Sequence, residues 1–484
     1  MARAAEAALE RHGDHDALWF EGVWHRSAAL HERATRLAGA LRELGVEPGD
    51  RVVVLMANCP DVGIAYNAIW RIGAVVTPAI FLLPPAELAH IVSDSGARLI
   101  LASPELADNA REAAADVEVV TIDRFPELER ADPSPIVAPA GADLAALMYT
   151  GGTTGRAKGV MLSHENLWFA GRSGHDAGYV PGITRSLGAL PLSHAFGLLV
   201  TVVGFHVREP HASVLMRWFQ PEAWLQLAQE HRVQIAAVVP SMLKLLLTEP
   251  LEDYDLSELR YVVSGAAPLL PETSEELRRR VPGVEIREGY GLTESSALVS
   301  SSPPGRSRLG SVGTPVPGIE LRIDEPDRQG VGEILVRSPA VMLGYWQAPD
   351  LTAEVLRDGW LHTGDLGFLD ADGYLRIVDR KKDLIIRSGF NVFPRDVEEA
   401  LLEHPAVAAA GVVGRPDELH GEEVVAFVEL SSDDVGPGDL VAFCKERIGA
   451  YKYPREVHVV PSLPLTPVGK LDRKALRSQV AVSA

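Results

Sequence analysis

Four glycines and three threonines crowd into one stretch, residues 149–159, YTGGTTGRAKG, directly after a run that reads as a strand. Gly151, Gly152 and Gly155 let the backbone approach a ligand closely and turn its amides inward. Thr150, Thr153 and Thr154 add hydroxyl donors, while Arg156 and Lys158 add positive charge. Such a set suits a polyphosphate. A flexible turn would be just as rich in glycine; it is the threonines between the glycines that favour phosphate. No Gly-Lys-Ser/Thr follows at the spacing of a Walker loop. A G-x-S-x-G elbow, an H-E-x-x-H zinc motif and a G-x-G-x-x-G fingerprint are also missing, so hydrolase, metalloprotease and dehydrogenase readings lack support. Lysine is scarce: of 46 basic residues 8 are lysine, and none precedes Lys158, so each lysine stands where arginine is the default.

The elements that must position this loop alternate in type. Residues 28–44 carry apolar side chains at helical spacing and stop at Gly45; 51–56 is a β-branched run; 61–72 reads as a helix after Pro60. Further strands are expected at 98–102, 117–122, 145–149, 234–239 and 259–263, with a helix at 222–230. This rhythm predicts an α/β core of parallel strands. From Gly310 the texture changes to short strands broken by Gly, Pro and Asp, which predicts a small antiparallel sheet or barrel. Beyond 379–382 come a helix (396–403), strands (406–413, 423–430), a helix (439–448) and a strand (456–460), an α+β domain of its own. The expected organisation is a large domain 1–379, a hinge 380–382 and a smaller mobile domain 383–484.

Composition narrows the class. With 484 residues, 46% hydrophobic and 23% charged, the chain can bury a sizeable core. A formal charge of -20 argues against nucleic acid or anionic membrane as the main partner. Cys59 and Cys444 alone build no disulfide framework and no cysteine-rich metal site, and they fit a reducing compartment. The opening residues are too charged for a signal peptide, and the most apolar run, 195–205, contains Thr201 and falls far short of the roughly 18–20 residues of a membrane span. A soluble, cytoplasmic protein is expected; its oligomeric state is left open.

Six further segments join the loop: PLSHAFG (191–197), SGAAPL (264–269), EGYGLTE (288–294), HTGD (362–365), DRKKDLIIRSGFNVF (379–393) and PLTPVGK (464–470). Taken in this order they resemble the motifs of the adenylate-forming superfamily, which includes acyl-CoA synthetases, peptide-synthetase adenylation domains and beetle luciferases. Gly151 stands where that family usually has Ser, which removes one hydroxyl. Without the resemblance, His194 would be a packed core histidine, Asp365 a turn aspartate and Arg380 a solvated charge.

The resemblance implies the following roles. His194, Phe196, Gly289 and Gly291 line the acyl pocket. Gly265, Ala266, Ala267 and Pro268 pack along adenine, and Glu288 to Gly291, Tyr290 included, flank the nucleotide. Thr293 reaches the α-phosphate, and Glu294 holds Mg²⁺, since a carboxylate near a triphosphate needs a hard cation between them. Asp365 accepts both ribose hydroxyls; Arg380 contacts ribose and phosphate. Lys382 is the hinge pivot, Gly389 lies beside the pantetheine arm of coenzyme A, and Asn391 approaches the site during adenylation. Lys470 bridges the substrate carboxylate and the α-phosphate, where two anions meet and a compact cation is needed.

The implied reaction has two steps: a carboxylic acid and ATP give acyl-adenylate and pyrophosphate, then the thiol of coenzyme A displaces AMP. SHAFGLLVTVVG has no Asp to hold an amino-acid ammonium, and its apolar run favours a fatty acid first and an aryl acid second; a dicarboxylate would need Arg306 or Arg308 to point inward. The rival within the class is an acyl-AMP ligase that loads a carrier protein. The rival outside it is a non-catalytic adenylate-binding regulator, which would be expected to have lost Lys470 or Glu294. Between Lys445 and Lys474 basic residues outnumber acidic ones, which makes either a patch for the nucleotide end of coenzyme A or an ordinary mixed surface.

Overall fold

The computed structural model describes residues 1–137, 139–150, 157–388, 390–432, 434–466 and 470–482. Two compact units emerge. The first comprises Met1–Leu321, Val336–His362 and Ala371–Leu375; the second comprises Arg322–Leu335, Thr363–Asp370 and Arg376–Ala484. This division interleaves the two units along the chain, whereas the sequence suggests a single cut at 379.

Two large sheets build the first unit. One has seven strands in the order Gly344–Tyr345, Lys158–Ser163, Leu144–Thr150, Val75–Pro78, Arg51–Leu55, Leu99–Ala102, Glu118–Thr121. Its last five strands are parallel. Val52 to Leu55 and Leu99 to Ala102 are buried at every position, which is why these strands read as unbroken apolar runs rather than alternations. The second sheet has nine strands, with Glu285–Tyr290, Tyr261–Ser264, Ile235–Val238, Arg185–Gly188, Ala212–Leu215 and Asp16–Phe20 parallel at its centre. Trp224, Leu243, Val238, Val262 and Ile286 share one buried cluster on it.

Many of the chain's 34 prolines have a positional use. Pro60, Pro85, Pro221, Pro240, Pro271, Pro349, Pro394 and Pro437 each open a helix, where the fixed φ is already helical and the missing N–H costs nothing. Short strands between 320 and 380 form a five-stranded sheet in the region where Gly/Pro/Asp turns dominate.

In the second unit the antiparallel pair Val407–Asp417 and Gly421–Leu430 is covered on both faces. Val412, Val424, Ala426 and Val428 pack with Val397, Leu401, Leu440 and Cys444 from the helices Pro394–Leu402 and Pro437–Arg447. Val413, Val425 and Phe427 alternate with these and meet Leu476 and Val480 of the helix Arg473–Val482. Period-two alternation therefore sorts residues between two cores rather than between core and water. The fold is thus a large α/β part with parallel sheets and a smaller α+β part. Among the described residues no helix is long and apolar enough to cross a membrane.

Candidate active site

In the first unit, three of the motif segments leave the carboxyl ends of parallel strands in one sheet, the edge where α/β folds bind ligands. PLSHAFG follows Arg185–Gly188, GAAPL follows Tyr261–Ser264, and GLTE follows Glu285–Tyr290. The glycines there allow close approach. A β-carbon on Gly265 would stand 3.3 Å from the Gly289 carbonyl oxygen and 3.5 Å from the Phe196 ring, so these three residues converge. One on Gly291 would lie 2.3 Å from the carbonyl oxygen of Ala297, a contact only glycine escapes. Ala266, Ser296 and Ala297, which are not glycines, adopt positive φ of 69°, 53° and 71°, a conformation that costs L-residues energy and gathers at working sites.

His194 caps the helix Ala195–Val203, its Nδ1 accepting from the Phe196 amide at 3.3 Å. The loop before it is held from the other sheet. Buried Asn58, just past Arg51–Leu55, donates to the carbonyls of Leu190 (2.9 Å) and Met216 (3.1 Å) and accepts from the Leu192 amide (2.9 Å). The buried hydroxyls of Ser264, the last residue of its strand, and of Ser193, in the loop after Arg185–Gly188, find no partner among the described residues, which suits a bond to ordered water.

Residues 151–156 lie outside the described residues, and with them Gly151, Gly152, Thr153, Thr154 and Gly155. Both sides of that stretch are described. The Tyr149 hydroxyl donates to Asp94 at 2.6 Å, and His90 Nε2 bonds the Ala157 carbonyl at 2.9 Å, both from the helix Pro85–Ser95. Lys158 sits over the Tyr345 ring, 5.2 Å from its centroid, and the Tyr345 hydroxyl donates to Glu294 at 2.8 Å. Burial and the Glu294 carboxylate push the Tyr345 phenol well above its ordinary pKa, so it stays a donor. Thr293 and Glu294 form one short 3-10 turn with Ser295.

The fit of Mg²⁺ follows from this donor set. Among the described residues no group of three or more His, Cys, Asp or Glu gathers into a metal cage. A lone carboxylate such as Glu294 suits Mg²⁺, which keeps waters and takes substrate phosphates as its other ligands.

The second unit holds the remaining residues. Arg380 Nε lies 3.3 Å from Asp365, whose carboxyl is largely buried, so these two are brought together. Asn391 pairs with Ile386 in the hairpin of Ile385–Arg387 and Phe390–Val392; Gly389 lies outside the described residues. The Lys470 backbone is held to Thr466: its amide donates to the Thr466 hydroxyl at 3.1 Å and its carbonyl accepts from the Thr466 amide at 2.7 Å. The helix that follows is tied back by Arg473 to Glu398 (2.7 and 2.8 Å) and by Arg477 to Asp383 (2.7 Å), the residue after Lys382.

Three of the seven basic residues at 445–474 are paired with carboxylates from outside that stretch: Lys452 with Asp396, Arg447 with Glu403 and Arg473 with Glu398. The apolar run after His194 is spent on helix packing. Leu199 and Val203 meet Gly174, and the Val202 carbonyl would lie 2.7 Å from a β-carbon on Gly171, so this run gives no argument for a fatty acid. Arg308 pairs with Asp372 at 2.8 Å and lies over Tyr374. Tyr345, Asn58, Asp94, His90 and Thr466 escaped the sequence reading, because each acts through a partner that spacing alone does not reveal.

Comparison with known proteins identifies the family. Residues 5–346 match the family of AMP-binding enzymes, and residues 396–470 match the AMP-binding enzyme C-terminal domain. The chain is similar to a feruloyl-CoA synthase of Amycolatopsis sp (37% identical, 93% of each chain covered). It is also similar to a long-chain-fatty-acid–CoA ligase of Yersinia pestis (34% identical, 98% of this chain and 93% of the other). Among solved structures it resembles ATP-bound MatB from Rhodopseudomonas palustris, with a TM-score of 0.91 at 30% identity over 99% of this chain and 98% of that one. The chain belongs to the AMP-binding, adenylate-forming family, and within it stands with the acid–thiol ligases.

Proposed function

We propose that the protein is an ATP-dependent acyl-CoA synthetase: carboxylate and ATP give acyl-adenylate and pyrophosphate, and the thiol of coenzyme A then attacks the acyl carbon and expels AMP. The observation that carries this reading is the joining of Lys158 and Glu294 through Tyr345, which sets a cation near a carboxylate, the pair a magnesium-bound triphosphate calls for. Thr150, Thr153 and Thr154 would take phosphate oxygens and Thr293 the α-phosphate. Glu294 would hold Mg²⁺, which when bound neutralises phosphate charge and makes pyrophosphate a better leaving group. Gly265 to Pro268 and Glu288 to Gly291 would flank the nucleotide base, while Asp365, steadied by Arg380, would take the ribose hydroxyls. Lys470 would sit between the substrate carboxylate and the α-phosphate, so that the two oxyanions meet across an ammonium.

The second half-reaction requires Lys470 to withdraw, and we assign that movement to residues 383–484 turning about 380–382 with Lys382 as pivot. Gly389 would then flank the pantetheine, and Asn391 belongs to the adenylating arrangement. The acid we propose is an apolar monocarboxylate, fatty or aryl, lodged by His194, Phe196, Gly289 and Gly291. The names of similar ligases cover both apolar classes, and Arg308, one of the two arginines a dicarboxylate would need, is paired with Asp372.

Pyrophosphate release across a panel of fatty, aryl and dicarboxylic acids, with and without coenzyme A, tests the reading. Release with an apolar acid, followed by coenzyme A-dependent AMP formation, is expected. Transfer to a phosphopantetheinyl carrier protein in place of coenzyme A would identify the acyl-AMP ligase instead. Absence of release with every acid would overturn the proposal.

A further inference from the structure

Tyr345 lies 51 residues from Glu294 in sequence and belongs to none of the seven motif segments, yet it touches two of their charged members. Its place is fixed from several directions. The two-residue strand Gly344–Tyr345 pairs antiparallel with Met161 and Val160, the Tyr345 amide donates to the Thr352 hydroxyl at 2.8 Å, and the next amide, Trp346, donates to the Gly159 carbonyl at 2.7 Å. The Trp346 indole N–H reaches the Asp94 carbonyl at 3.0 Å, and Asp94 in turn takes the Tyr149 hydroxyl. The Glu294 backbone is held by the same segment, its carbonyl accepting from the Met342 amide at 2.8 Å.

We propose that Tyr345 is a positioning residue of the nucleotide site: its hydroxyl fixes the rotation of the Glu294 carboxylate for a divalent cation, and its ring face restrains the Lys158 ammonium for phosphate. The inference rests on the nucleotide-site reading of Glu294 and Lys158. A glutamate on the surface samples many rotamers, and Mg²⁺ tolerates little deviation from octahedral geometry, so a carboxylate with one oxygen engaged by a rigid phenol offers a defined single-oxygen ligand. Lysine is a flexible point charge, and an aromatic face beneath it narrows its range without neutralising it.

Tyr345→Phe keeps the ring and removes only the hydroxyl; Tyr345→Leu removes both. Calorimetric titration with ATP in excess Mg²⁺ and in EDTA separates the two contributions without any acid or turnover. For Tyr345→Phe, MgATP affinity should fall about tenfold while affinity for ATP in EDTA stays within twofold of the native protein. Tyr345→Leu should weaken ATP binding in EDTA as well, by about threefold, through the loss of the ring beneath Lys158. Tyr179→Phe, which also removes a Tyr–Glu hydrogen bond but lies outside the motif segments, should change neither value. Equal weakening with and without Mg²⁺, or MgATP affinity within twofold of native for Tyr345→Phe, would overturn the inference. A native protein that binds MgATP yet releases no pyrophosphate with any acid would defeat the synthetase reading alone and leave the Tyr345 result standing.

Discussion

At the scale of the residue, the role proposed for Lys470 calls for a compact cation that arginine would not reproduce. Its amide and its carbonyl are both bonded to Thr466, so the proposed ammonium would be carried on a held stretch of backbone. Lys470→Ala should depress adenylation, followed as pyrophosphate release, by at least about a hundredfold, the order of effect of removing a preorganised charge stabiliser. Thioester formation from supplied acyl-adenylate should survive within a few fold. Equal loss in both half-reactions would show that Lys470 serves the fold rather than the first step. Lys470→Arg should rescue little, because a planar fork fits poorly between two oxyanions.

At the scale of the element, Asn58 joins two sheets that are otherwise separate in pattern. Its side chain meets two carbonyls and one amide in the segments that follow Arg185–Gly188 and Ala212–Leu215. Asn58→Ala strands all three groups in a buried place and should cost about 2–4 kcal/mol of stability. It should also raise KM for the acid more than for ATP, since the freed segment carries His194; denaturant melts and steady-state kinetics check both. The strands themselves were legible because parallel strands buried on both faces leave unbroken β-branched runs, as at 51–55. Their allocation to two sheets was not, since such a strand reads alike in either. The helix Arg473–Val482 does not stand out in the sequence, because among its described side chains Leu476 and Val480 alone join the buried cluster, too sparse a stripe to read. The motif segments are legible through their resemblance to those of the family. Tyr345 is not: its strand is two residues long and its partners lie far off in sequence.

At the scale of the whole molecule, half-buried histidines tie stability to pH. Burial lowers His206 and His211 to about 4, so both are neutral in the folded chain at pH 7. The unfolded chain binds these protons near pH 6.5, so the contribution is intact above that value and is lost as pH falls through about 4. The melting temperature should therefore drop between pH 6.5 and 4. A His206→Gln, His211→Gln double variant should show a shallower drop, and equal slopes would place the acid sensitivity elsewhere. The pairing of Lys452, Arg447 and Arg473 with carboxylates has a consequence of its own on a surface of formal charge -20. Little long-range attraction is left over for nucleotides, so these anions must be captured at short range by a few well-placed cations, within about the 8 Å over which physiological salt lets a charge be felt. Such an enzyme gathers its substrates by abundance and fit, with hardly any pull across the intervening water.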